Sequence, residues 1–222
     1  MAHWTRRQFS AAAISMLTAG CYQNPVIENA GTAIKFVVAG ADDPPLKRKN
    51  VAALPYATIT AKIGRAPRTL LVLAYVDGAD LHWHSGDKAA LVTRHGRVVK
   101  TVGLPENLRQ TINLTVDPLA GPIHELKQAA AFRRQLEYDG DERPVLPIRS
   151  VFESLGAQQI TILELDFETV LVRERNTAQL TDWQYENLYW VDAYDGFVWK
   201  SRQHLTRDLP PIEIEVLKPA TL

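Results

Sequence analysis

Tyr189-Trp190-Val191-Asp192-Ala193-Tyr194-Asp195-Gly196-Phe197-Val198-Trp199-Lys200-Ser201 is the stretch on which the fold turns. Aromatic and β-branched residues flank Asp195-Gly196, a dipeptide that tolerates the positive φ angles of a two-residue turn. The stretch therefore predicts two antiparallel strands, 189–193 and 197–201, joined as a hairpin. Working outward, 212–217 alternates Ile-Glu-Ile-Glu-Val before Lys218-Pro219. Upstream, 56–63 places Ala57, Ile59, Ala61 and Ile63 on one face and Tyr56, Thr58, Thr60 and Lys62 on the other, the period of a half-buried strand. Residues 80–85, 89–95 and 98–102 repeat that pattern around Gly86-Asp87-Lys88 and His95-Gly96-Arg97. The run 69–76 is continuously apolar and predicts a strand covered on both faces.

The longest β pattern, 160–173, opposes Leu163, Leu165, Phe167 and Leu171 to Glu164, Asp166 and Glu168. Helical character is confined to 104–111 and 124–136. In the second segment, Phe132, Leu136 and Tyr138 also suit one face of a strand. Strands joined by short turns, with no βαβ rhythm, predict an all-β fold: an antiparallel β-barrel-like or sandwich domain with one or two short helices.

Composition excludes several functions. The 222 residues suit one domain, and 25 Lys+Arg balance 25 Asp+Glu, which argues against a nucleic-acid surface or a polybasic membrane patch. One Cys excludes an intramolecular disulfide and any multi-cysteine zinc site. With 13 Pro and 12 Gly the chain is punctuated without being low in complexity.

That Cys has a telling position. Residues 1–8 carry Arg6 and Arg7 and no acid, and 9–20 are small or apolar, the length of a signal-peptide core and too short to span a bilayer. Ala19-Gly20-Cys21 follows the pattern of a bacterial lipobox, in which the Cys21 thiol takes lipid and the leader is cut before it. Thr5-Arg6-Arg7-Gln8-Phe9 resembles the twin-arginine export motif. The expected organisation is a signal peptide at 1–20, a lipidated tether with a first strand (34–39) at 21–54, and one β domain at 55–222. Several acyl chains on one Cys anchor firmly. Tyr22 stands where Asp signals inner-membrane retention, which points to the periplasmic face of the outer membrane. Cleavage removes Arg6 and Arg7, leaving 23 basic against 25 acidic residues and a formal charge of −2. The basic triplet Lys47-Arg48-Lys49 reads as a solvated loop.

Three constellations bear on chemistry. Asp80, His82 and His84 lie at i, i+2, i+4 and share one strand face. Those donors suit zinc or copper, although a solvent face opposite Leu81 and Trp83 is the simpler reading. Glu164, Asp166 and Glu168 suggest carboxylates for glycoside hydrolysis or calcium, but adjacent acids on one strand read more simply as surface. The aromatic-rich segment 183–199, with Trp83, offers Trp83, Trp190 and Trp199 as contacts for a glycan or a protein partner. No nucleophile elbow, phosphate loop or zincin motif occurs, no catalytic residue is nominated, and no cofactor is implied.

An ordered series of short motifs carries a resemblance. It comprises Pro55-Tyr56-Ala57-Thr58-Ile59, residues 70–73, Trp83 and Ser85, Leu91-Val92-Thr93, Gly96-Arg97-Val98-Val99-Lys100-Thr101 and Gly103-Leu104. Tyr189-Trp190-Val191-Asp192, Asp195-Gly196, Val198, Lys200-Ser201, Gln203 and Lys218-Pro219 complete it. Together they resemble the YjbF/GfcB family of group 4 capsule lipoproteins, from about Pro55 to Pro219. The resemblance implies a barrel-like antiparallel fold and a non-enzymatic accessory role in making or exporting capsule or exopolysaccharide. Its implied partners are envelope export proteins, including an outer-membrane barrel, and the polysaccharide itself. Two other functions compete: a lipid or acyl carrier, motivated by the apolar runs 69–76 and 160–172, and a polysaccharide-modifying hydrolase using the acidic row or the His pair.

Overall fold

A computed structural model of the chain describes residues 46–140 and 145–221. Among them is one short helix, α1 (Arg48–Ala52), followed by β1 (Thr58–Ile63), β2 (Thr69–Asp77), β3 (Asp80–Ser85), β4 (Ala90–Arg94), β5 (Arg97–Val102) and β6 (Leu108–Ile112). The second half contributes β7 (Ala130–Tyr138), β8 (Leu146–Ile162), β9 (Leu165–Ala178), β10 (Gln184–Asp192), β11 (Val198–Gln203) and β12 (Ile212–Lys218). All twelve form one antiparallel sheet in the order β5-β4-β3-β2-β1-β12-β11-β10-β9-β8-β7-β6.

That order is a meander whose first and last strands pair, from Thr58↔Lys218 to Ile63↔Ile212. The sheet edges are consequently two strands adjacent in sequence, β5 and β6. They meet through threonines: Leu108 N donates to Thr101 Oγ1 at 2.9 Å, and Thr111 Oγ1 donates to the Val99 carbonyl at 3.4 Å. The result is a nearly closed barrel, and closure of this kind is one way an all-β chain avoids open edges.

Alternation decides what lies inside. On β7, Phe132, Arg134, Leu136 and Tyr138 are buried while Ala131 and Arg133 are exposed. Val172, Glu174 and Asn176 on β9 and Tyr185, Asn187, Tyr189 and Val191 on β10 follow the same period. Buried apolar residues form three clusters, centred on Phe152 and Tyr189, on Ile59 and Trp83, and on Leu108 and Tyr185.

Several local expectations are corrected. Residues 160–173 are not one strand: Leu163 and Glu164 both take positive φ (46° and 69°) and turn β8 into β9. Glu164 thus leaves the row shared by Asp166 and Glu168. The segment 104–111 is not helical, and its end forms β6. In 124–136 only a 3₁₀ turn (Ile123–Glu125) precedes β7, so the strand reading of Phe132, Leu136 and Tyr138 holds. β2 is not covered on both faces, since Leu71 is buried but residues 74–77 are exposed. Lys47 precedes α1 and Arg48 and Lys49 lie in it, all exposed, rather than in a loop. The expected strand 34–39 lies outside the described residues.

The hairpin of the opening stretch forms, but its loop is longer than Asp195-Gly196. The Asp192 carboxylate accepts from the Tyr194 and Asp195 amides at 2.9 and 3.4 Å, which starts the turn early. The loop therefore runs over 193–196, closed by Asp192 N donating to Phe197 O, and Gly196 supplies the positive φ of 77°.

The β4–β5 turn approaches the β11 strand more closely than a side chain allows. Gly96 has φ +81°, and a Cβ there would fall 2.5 to 2.7 Å from three atoms of Val198. Its carbonyl accepts from Gln203 Nε2 at 2.8 Å, so the turn cannot easily swing away. Gly96→Ala is expected to lower stability by about 1–3 kcal/mol in urea unfolding. Adding Val198→Ala should recover only part of the loss, because the backbone strain of roughly 1 kcal/mol remains.

Candidate functional site

The barrel interior holds a charge cluster at its centre. Glu174 on β9 is 0% exposed, and Arg97 on β5 and Arg134 on β7 are 2% and 3% exposed. Arg97 Nη1 donates to Glu174 at 3.1 Å, Arg134 Nη1 at 2.6 Å, Asn187 Nδ2 at 2.8 Å and the Tyr189 hydroxyl at 3.1 Å. The other edge of the Arg97 guanidinium grips Asp117, with Nη2 donating at 3.0 Å. Arg134 also donates to Ser150 and Asn176. Two guanidinium groups against two carboxylates leave the cluster neutral, the condition under which buried charge is tolerated.

The rings of Phe132, Phe152 and Tyr189 lie 5.4 to 5.8 Å from the Arg97 guanidinium carbon and add cation–π attraction. Burial alone pushes the Glu174 carboxyl up, but the Arg134 and Arg97 charges and their hydrogen bonds outweigh it and hold it at about 2. Burial raises the Tyr189 hydroxyl well above its usual range, so it stays a proton donor. Every lone pair and N–H named here points to another member of the cluster, which makes it a strut rather than a reactive centre.

One end of the barrel is different. Where the β2–β3, β4–β5 and β10–β11 turns converge, a cavity of about 480 Å³ opens between Ile59, Leu81, Trp83, Val198, Ile214 and Val216. A second, of about 310 Å³, lies between α1, the β8–β9 turn and the end of β12. Trp199 and Val216 border both. The Trp199 ring is fixed by Asp192, which accepts from its Nε1 at 2.9 Å, and by Phe167 and Phe197, whose centroids lie 4.2 and 4.8 Å away.

A nearly closed antiparallel barrel with this motif order has known relatives. Residues 31–217 match the family described as "Group 4 capsule polysaccharide lipoprotein gfcB, YjbF". The chain belongs to the YjbF family. It is 31% identical over 173 residues to the lipoprotein GfcB of Escherichia coli (strain K12), covering 78% of this chain and 80% of GfcB. It is 29% identical over 167 residues to the lipoprotein YjbF of the same organism, covering 75% and 77%. The crystal structure of the lipoprotein YmcC from Escherichia coli (K12) is similar to it with a TM-score of 0.72 and 29% identity, over 90% of this chain and 98% of YmcC.

Within this YjbF-family barrel the residues singled out from sequence take separate places. Trp83 is buried, its Nε1 donating to Thr93 Oγ1 at 2.8 Å, so it forms cavity wall rather than an exposed platform. Trp190 is half-buried, with its Nε1 donating to Gln158 and the Lys200 ammonium 5.6 Å from its ring. Asp80 is gripped by Arg94 through two hydrogen bonds of 2.6 and 2.7 Å. His82 stacks on Tyr75 at 4.0 Å and His84 meets the same ring edge-on, so the three do not converge on one point. Among the described residues no group of three or more ligating side chains is placed to hold a metal ion. Asp166 accepts from Thr161 Oγ1 at 2.7 Å, and Glu168 is exposed beside it. Arg6, Arg7 and Cys21 lie outside the described residues.

Sequence reading missed Glu174, Arg134 and Asp117. A signal was present: Glu174 shares a pleat with Val170 and Val172, and Arg134 with Phe132 and Leu136.

Glu174→Gln would leave two buried guanidinium groups facing one carboxylate, and should cost about 3–5 kcal/mol in denaturant unfolding. The folded-state value of about 2 lies below the ordinary 4.5. The carboxylate's contribution is thus complete above pH 4.5 and is lost as pH falls through about 2. Stability of the parent should drop across that window, and the drop should be smaller in Glu174→Gln.

Proposed function

We propose that this protein is a lipid-anchored, non-enzymatic accessory of capsule or exopolysaccharide assembly or export. Acyl chains on Cys21 hold it at the periplasmic face of the outer membrane, beside envelope export proteins that include an outer-membrane barrel. Membership of the YjbF family supports the capsule connection. The single observation that favours binding over catalysis is the state of its carboxylates. Glu174 and Asp117 are consumed by Arg97 and Arg134 inside the barrel, and Asp166 and Glu168 stand side by side on one strand. Glycoside hydrolysis needs two carboxyl groups facing each other across a substrate cleft. Trp190, half-buried on β10 and outside both cavities, is the contact such an accessory offers to glycan or partner, whereas Trp199 lines the cavities.

Deleting the gene should reduce surface polysaccharide, and a chromosomal copy should restore it; unchanged polysaccharide in the deletion strain would overturn the role. Radiolabelled palmitate should enter the wild-type protein and not Cys21→Ser, with equal labelling of the two refuting the anchor.

A further inference from the structure

We propose that the paired cavities around Trp199 hold a fatty-acyl chain whose anionic head group lies beside Lys47, Arg48 and Lys49. The inference concerns a ligand and stands independently of the role in capsule assembly. Shape is the first argument. The two cavities, about 480 and 310 Å³, both border Trp199 and Val216, the first opening at the barrel mouth and the second lying against α1. Each has the room of a ligand pocket, and their walls are mainly hydrocarbon and aromatic.

The polar groups of the wall are mostly occupied by protein partners. Trp83 Nε1 donates to Thr93, and Trp199 Nε1 donates to Asp192. Lys200 Nζ donates to Glu215 at 2.8 Å, and the Ser201 hydroxyl accepts from Gln203 Nε2 at 2.9 Å. Asp195 accepts from the Phe197 amide at 2.8 Å. A saccharide is recognised by hydrogen-bonding groups turned toward it. Here those of Trp83, Trp199, Lys200, Ser201 and Asp195 are turned toward protein partners, leaving the exposed His95 at the rim and a wall that is mainly hydrocarbon. The walls are also rigid: Trp199 is clamped by Asp192, Phe167 and Phe197, and Val198 is pinned by the Gly96 turn.

Charge is the third argument. Arg48 borders the second cavity, as does Lys218, whose Nζ also donates to the Leu54 carbonyl. The exposed Lys47 and Lys49 adjoin Arg48 in sequence, with no acid in the first turn of α1. An apolar trough with cations at one end complements an amphiphile with one negative head. Of the two apolar runs that suggested a carrier from sequence, 160–172 supplies Ile162, Leu163, Leu165 and Phe167 to this wall, and 69–76 supplies nothing.

The test uses the full chain carrying Cys21→Ser, so that its own thiol bears no lipid, and cis-parinaric acid as probe. Tryptophan-sensitised probe fluorescence should saturate at one molecule per chain. Ala79→Trp in the β2–β3 turn and Ala220→Trp after β12 each place bulk at the mouth, and should weaken binding about ten-fold or more. Reversing charge at Lys47, Arg48 and Lys49 together should weaken parinaric acid but leave the neutral parinaryl alcohol unchanged. Displacement by oleate alone would assign a free fatty acid, and displacement by phosphatidylglycerol as well would assign a phospholipid. Absence of saturable binding overturns the proposal. So does unaltered affinity in both tryptophan variants with native near-UV circular dichroism, and so does equal weakening of acid and alcohol by charge reversal.

Discussion

Glu174, held between Arg97 and Arg134 in the middle of the barrel, is the constraint that the other elements serve. A carboxylate with no access to water is tenable only while both cations stay within hydrogen-bonding distance. That requirement fixes β5, β7 and β9 relative to one another, and Asp117 draws in the connection between β6 and β7. The placement matters because the backbone ladder is interrupted between β5 and β6. Arg97 comes from one edge of the sheet and Arg134 from the strand next to the other edge, so the ion cluster reaches across the gap that two threonine contacts only partly seal. Buried ion pairs add less net stability than their Coulomb attraction suggests, but removing one partner is severe, so such a cluster enforces a particular closure.

A polar centre also explains where free space lies. Arg97, Arg134 and their partners fill the waist, leaving Ile59, Leu81 and Trp83 to line an apolar mouth at one end. The barrel interior is therefore polar at its waist and apolar at this mouth. Its rim is built from turns held by specific constraints, Gly96 against Val198 and Asp192 against Trp199. YmcC, similar over 98% of its chain, shares this architecture.

Alternation made the all-β class legible where one face of a strand is buried and the other wetter, as at the start of 212–217. Residues 56–63 also form a strand, but Thr58, Ile59, Thr60 and Ala61 are all buried, so both faces are covered there and the half-buried reading does not hold. Alternation misled where that condition fails. Residues 160–173 keep their alternation through Leu163 and Glu164, since a tight turn of two such residues does not interrupt a hydropathy pattern. β7 carries Arg134 on its inner face, and β8 is largely exposed beyond Phe152, so both dilute the signal that defines a strand. Trp83, Trp190 and Trp199 stand out in the sequence as candidate contacts, but the burial of Trp83 and the clamping of Trp199 could not be read from composition.

By itself the sequence determined the class of secondary structure, most strand positions, the family and the lipobox-like context of Cys21. These are local properties: side-chain period, turn chemistry and the spacing of short motifs. Only the tertiary structure decided that the meander closes through β1 and β12 into a barrel, and that Arg97, Asp117, Arg134 and Glu174 belong to one cluster. The reason is distance along the chain. Arg97 and Glu174 are separated by 77 positions, and their partnership depends on closure geometry that no local pattern encodes.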